Sequence, residues 1–175
     1  MLRNRMAQGG AVATENMYQM RQSMFSIGDD FWIETNNGRR AFRVDGKALR
    51  VRQTLLLESA EGRELYHIQE KLLHVRDTMA IEGPSGVVAT VKKALISPIR
   101  ERFVVELASG GEWNVQGNIV DHEYKITGND GDVAEVGKKW FRIRDTYGVR
   151  VEPGHDDALV LAVAVVIDQL SHGSR

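Results

Sequence analysis

Five histidines, at positions 67, 74, 122, 155 and 172, are the side chains best suited to proton transfer or metal binding near neutral pH. Two stand among carboxylates, in Asp121-His122-Glu123 and His155-Asp156-Asp157. An imidazole beside a carboxylate could ligate a metal or work as an acid–base group. The spacing argues against both roles. No two histidines stand four apart on a helix, His67 and His74 fall on different expected strands, and no Ser or Thr lies in a nucleophile-elbow context. The plainer reading makes the first triplet a turn and the second a helix cap. No catalytic residue, metal ligand or cofactor is therefore assigned. The chain has no cysteine, which removes disulfides, thiolate zinc sites and cysteine catalysis.

Positive charge is the second candidate chemistry. Lys92, Lys93, Arg100 and Arg102 make the middle of the chain locally basic, and Lys138, Lys139, Arg142 and Arg144 do the same near its end. Arg39, Arg40 and Arg43 form a third group. Cations on one outer face can hold a phosphate or a lipid headgroup. They also keep a sheet exterior soluble and protect its edges. Glu101, Glu106, Glu135 and Asp145 are interspersed among them. Trp32, Trp113 and Trp140 fall on the expected outer face or near turns. There they can enter a membrane interface or pack under a loop or across a strand pair.

The element that must position all of these is the run Ala158-Leu-Val-Leu-Ala-Val-Ala-Val-Val-Ile167. Pro153-Gly154 breaks the preceding strand, Asp156 or Asp157 can cap the first free amides, and Gly173 is a stop signal. A helix over about 156–170 follows. Its ten apolar residues span about 15 Å, half a bilayer's hydrocarbon core. A helix apolar on every side has to be wrapped by protein. Leu159, Leu161, Val163, Val165, Val166 and Ile167 are its expected core.

The wrapping is written as a repeat. Gly recurs at 38, 62, 86, 110 and 131, and seven residues before each stands an apolar start: Phe31, Leu55, Met79, Phe103 and Tyr124. Each unit reads as a strand, a glycine turn and a return strand. A third short strand is expected between hairpins at Lys47-Ala-Leu, Lys71-Leu-Leu, Lys93-Ala-Leu, Asn118-Ile-Val and Lys139-Trp-Phe. Alternation puts Phe103, Val105 and Leu107 on one face and Arg102, Val104 and Glu106 on the other. The same rule puts Phe141 and Ile143 on the apolar face. Five hairpins give ten strands, and flanking segments, including one from Met17 to Phe25, bring the total to about twelve. Eight strands close into a barrel filled by side chains; twelve leave a hole that a helix can plug. The fold class is mainly β: a closed antiparallel barrel of about twelve strands around a buried C-terminal helix. It forms one domain over 17–172, after a flexible tail at 1–16.

Net charge is −1, from 23 basic and 24 acidic residues, which is not the balance of a bulk nucleic-acid binder. No apolar stretch resembles a signal peptide or a membrane span. The expected setting is the cytoplasm, with attachment to a membrane surface as an option.

Several segments carry a resemblance. Met24-Phe-Ser-Ile-Gly-Asp-Asp-Phe-Trp-Ile33, Val44-Asp-Gly-Lys47, Gln69-Glu-Lys-Leu-Leu73 and Gly117-Asn-Ile-Val-Asp-His-Glu-Tyr124 are similar to the LURP-one-related family, in the tubby C-terminal-like superfamily. So are Lys138-Lys-Trp-Phe141, Asp145-Thr-Tyr-Gly148 and Leu159-Val-Leu-Ala-Val-Ala-Val-Val-Ile-Asp168. The resemblance covers about Tyr18 to Leu170 and implies a twelve-stranded barrel around a hydrophobic helix. Related folds include phosphoinositide-binding tubby proteins and phospholipid scramblases; the cysteine-rich and proline-rich segments of scramblases are absent here. Two kinds of function follow. One is a non-enzymatic binding or scaffold module for phosphoinositide, another anionic lipid surface or a protein, with Lys92, Lys93, Arg100, Arg102, Lys138, Lys139 and Arg142 as the headgroup-binding candidates. The other is a small-ligand binder or a hydrolase-type enzyme at a barrel mouth, with His122 or His155 as its acid–base group.

Overall fold

In the computed structural model, which describes residues 16–21, 30–46, 54–70, 78–97 and 100–172, twelve antiparallel strands close into a barrel. They are β1 (Asn16–Arg21), β2 (Phe31–Thr35), β3 (Arg40–Asp45), β4 (Thr54–Ser59), β5 (Glu64–Glu70) and β6 (Thr78–Gly83). Then come β7 (Gly86–Ser97), β8 (Arg100–Leu107), β9 (Glu112–Asn118), β10 (Glu123–Gly128), β11 (Gly131–Gly137) and β12 (Thr146–Val151). Every strand pairs with its neighbours in sequence, and β1 pairs with β12 from Asn16↔Val151 to Arg21↔Thr146, closing the ring.

The repeat explains the wall. Its units form the hairpins β2–β3, β4–β5, β6–β7, β8–β9 and β10–β11, with β1 and β12 as flanks. The first and third residues of each unit point inward. Phe31 and Ile33, Leu55 and Leu57, Met79 and Ile81, Phe103 and Val105, and Tyr124 and Ile126 are all buried. All five spaced glycines have positive φ, from 79° at Gly38 to 123° at Gly131, as such turns demand. Four of the five first strands carry a register shift just after the third residue: at Ile33/Glu34, Leu57/Glu58, Ile81/Glu82 and Ile126/Thr127. Bulges at matching positions bend each strand and increase its twist, so the repeat specifies curvature as well as alternation.

The additional short strands do not form as expected. Lys93-Ala-Leu continues β7, Asn118-Ile-Val runs from the end of β9 into a turn, and Lys139-Trp-Phe lies in the loop 138–145. The other two expected segments, at Lys47 and Lys71, lie outside the described residues. Loop 138–145 leaves the sheet because Trp140 and Phe141 fold back over the outer wall and do not continue the alternation.

The helix α1 (Asp157–His172) fills the barrel, packing closest against β5, β6, β7 and β12. From Val160 to Asp168 every residue is buried, on all sides of the helix. Leu159, one turn from the mouth, is only partly buried. The helix enters at the glycine-turn end, where β12 finishes, and runs to the opposite end, whose described connections are 119–122 and 138–145. Among the described residues no helix is long and apolar enough to cross a membrane.

Candidate functional site

The folded chain separates the basic residues that sequence groups together. On β7, Lys93 lies directly across from the buried Phe103, whereas Lys92 lies across from Val104 on the opposite face. Lys92 Nζ is 2.6 Å from Glu106 Oε1 and is thereby neutralised. Arg102 shares the outer face of β8 with Glu106; Arg100 opens β8, and its side chain is outside what the structure describes. Arg43 is held by Asp30 at 2.5 Å and by Glu58 at 3.2 Å, and Arg40 stacks 4.5 Å from the centroid of the Trp32 ring. Arg39 lies in the exposed glycine turn before it.

The later group is different. Gly137 on β11 faces Gly148 on β12 across the ladder. With no side chains between them, the Trp140 and Phe141 rings come up against the wall at these two glycines. A Cβ on Gly148 would come within 2.8 Å of both rings. The loop is also tied by its backbone: Lys138 N donates to Glu123 Oε1 at 2.8 Å, Phe141 N to Lys138 O and Thr146 N to Ile143 O. Lys139 is 2.5 Å from Glu135 and sits over Trp140; Arg150 also reaches Glu135, at 2.8 Å. These cations, the Lys139 bond foremost, hold the Glu135 carboxyl below its usual range. What remains without a close carboxylate among the described residues, besides the Lys138 side chain, is the tip, Arg142-Ile143-Arg144. Arg142 is exposed and has no ion pair among the described residues; Arg144 is 95% exposed, its one ionic contact 4.0 Å from Asp145. Ile143, expected on the apolar face, is 61% exposed.

Under this end lies a polar group that residue-by-residue reading of the sequence did not assemble. Asp168 ends the apolar run and is completely buried. Its Oδ1 is 2.8 Å from His122 Nε2, and its Oδ2 accepts a 2.6 Å hydrogen bond from the Tyr147 hydroxyl. The His122 and Tyr147 rings stack at 4.2 Å. Tyr124 completes the group, and burial followed by the Asp168 charge pushes its hydroxyl well above the usual tyrosine value. Tyr147 is raised in the same way, with its bond to Asp168 adding to the effect. Asp121 and Glu123 do not join His122: Asp121 takes the Asn118 amide at 2.6 Å and Glu123 takes Lys138. His122 reaches inward because it sits at φ 56°, a left-handed turn position that swings its side chain under the loop. Two signals marked this group. Tyr124 is the one polar start in a series that otherwise reads Phe, Leu, Met, Phe, and Asp168 interrupts an all-apolar surface.

The remaining candidates are structural. Asp156 caps the helix, its Oδ1 taking the Leu159 amide at 3.1 Å. His155 meets the edge of Trp113, whose ring is buried just past the 108–111 turn, so that of the two expected placements, outer face or near a turn, the second holds. His67 lies 3.3 Å from Glu64. His74 lies outside the described residues, as does the side chain of His172.

The family model for LURP-one-related proteins matches residues 17–168, nearly the whole barrel and its helix. The chain belongs to the LURP-one-related family. Among curated proteins this LURP-one-related chain is similar to the uncharacterized protein YxjI of Bacillus subtilis (strain 168). The two are 28% identical over 156 residues, covering 89% of this chain and 94% of the relative. Its fold is shared with an Arabidopsis thaliana protein solved by X-ray crystallography, at a TM-score of 0.68 and 19% identity over 90% of this chain and 91% of that one.

Proposed function

We propose that this LURP-one-related protein is a non-enzymatic binding module that recognises a phosphate-bearing or other anionic partner through loop 138–145. The observation that carries the reading is the contrast in neutralisation. Lys92, Lys139, Arg43 and Arg150 each face a carboxylate within 3.2 Å. Arg142 and Arg144 stand exposed at the tip of a loop that the barrel wall holds in place. Arg142, with no ion pair among the described residues, and Arg144, whose one ionic contact is a 4.0 Å approach to Asp145, can pair with phosphate oxygens, for which their planar donors are suited. The Asp168–His122 pair supports the same reading from inside. It has the residue types of an acid–base site, but it is buried under the loop and grips the helix.

Co-sedimentation with vesicles, with and without phosphoinositides and at low and physiological salt, tests this. Binding is expected to weaken with salt, to fall on Arg142→Glu/Arg144→Glu, and to survive Lys92→Ala. Equal loss in both variants would show that the charge acts without a site.

A further inference from the structure

Resting on that reading, we propose that the tip of loop 138–145 docks on an anionic lipid bilayer, with Ile143 entering the headgroup–acyl boundary while Arg142 and Arg144 hold phosphates on either side.

Three observations carry it. The first is exposure. Ile143 at 61% and Val120 at 52% are the two most exposed large apolar side chains among the described residues. Both belong to the same barrel end, in adjacent connections tied together where Glu123 accepts the Lys138 amide. Val87, the third at 40%, belongs to the glycine-turn end. The second is charge. Residues 138–145 contain Lys138, Lys139, Arg142 and Arg144 against the single acid Asp145; Lys139 is paired with Glu135, but Arg142 and Arg144 flank Ile143 on both sides, which complements an anionic leaflet. The third is fixation. The aromatic rings of the loop are spent on the wall at Gly137 and Gly148, and its backbone is bonded at Lys138, Phe141 and Thr146. A tip already ordered loses little conformational freedom on docking.

These observations favour a bilayer over a protein surface. A protein partner typically takes its anchor from an aromatic ring seated in a pocket, and here Trp140 and Phe141 face the wrong way. A lone aliphatic between arginines on a convex tip needs no matching pocket. It needs only an apolar layer beneath an anionic one.

The test uses the full chain with phosphatidylcholine vesicles, alone or mixed with phosphatidylserine, some carrying brominated acyl chains. Ile143→Trp places a reporter at the tip, read as its difference from the wild-type spectrum. Its emission is expected to shift to the blue and to be quenched by brominated lipid on the anionic vesicles only. Ile143→Asp is expected to abolish sedimentation, and Arg142→Gln/Arg144→Gln to reduce the partition coefficient on the order of 30-fold, with Arg142→Glu/Arg144→Glu reducing it further. All three sites are exposed, and an unchanged melting temperature shows that the barrel is intact. An unquenched Ile143→Trp with sedimentation retained by Ile143→Asp would overturn insertion and leave headgroup recognition standing. Failure to sediment with any vesicle, phosphoinositides included, would overturn both. Salt-sensitive capture on immobilised poly-glutamate, dependent on the two arginines and without vesicle binding, would move the site to an acidic protein.

Discussion

The two ends of the central helix are held by the same chemistry in opposite surroundings. At the entrance, Asp157 takes the Tyr18 hydroxyl and, at 2.6 Å, the Asn16 amide, while Asp156 takes the Tyr66 hydroxyl at 2.6 Å. Both carboxylates sit at the positive end of the helix dipole and within reach of water, which lowers the cost of their charge. At the far end Asp168 also takes a tyrosine hydroxyl, but it is sealed in the core and lies in the last turns, where the dipole opposes a negative charge. His122 is what makes that position tenable. A carboxylate grip near water is replaceable, whereas one in the interior cannot lose a partner without leaving a charge stranded.

The most severe way to break this comparison is to remove the helix. A chain ending at Gly154 leaves the inward residues of twelve strands unpacked and is expected to be insoluble or molten, with no cooperative transition by calorimetry. Next comes His122→Ala, which leaves Asp168 buried with Tyr147 as its remaining partner among those named. The expected loss is about 3–5 kcal/mol in urea unfolding. Replacing the pair together, His122→Leu/Asp168→Leu, is expected to recover much of it, because no charge is then stranded. At the entrance, Asp156→Ala removes both a cap and a tyrosine acceptor and is expected to cost only about 1–2 kcal/mol. Should Asp156→Ala match His122→Ala, the distinction between the two ends fails.

The smallest effect, about 1 kcal/mol at neutral pH, is expected from Tyr66→Phe, and its signature lies in alkali. Burial, then the bond to Asp156, raises the Tyr66 hydroxyl above its ordinary value of 10.0. The unfolded chain therefore ionises first as pH rises, and folding stability, complete below about pH 10, falls above it. Tyr18, Tyr124 and Tyr147 are raised in the same direction. Unfolding midpoints at pH 9 and pH 11 should therefore differ in the wild type, and less in Tyr66→Phe.

The barrel was legible because its information is local and repeated. The same two inward positions and the same turn glycine recur at steps of 24, 24, 24 and 21 residues, and an apolar run with no polar face can only be a filling. What was not legible depended on departures from the repeat. Ile143 looks like an inward residue by alternation, and only the Gly137–Gly148 pair, which receives Trp140 and Phe141, takes that segment out of the sheet. The cations at 92 and 93 look like one patch, but a one-residue step along a strand reverses the face. His122 meets Asp168 across 46 positions of sequence, a contact set by the register of the helix inside the wall and not by any spacing in the chain.

The order of the elements has a consequence for synthesis. The helix that fills the barrel follows all twelve strands, and β1 closes the ring by pairing with β12. While the chain emerges from the ribosome, each hairpin can form locally, but every inward residue waits for a core not yet made. The wall must therefore be completed after translation has passed α1. Until then a nearly complete sheet carries an open edge and an apolar lining, and both stay exposed until the sixteen-residue helix is free to enter.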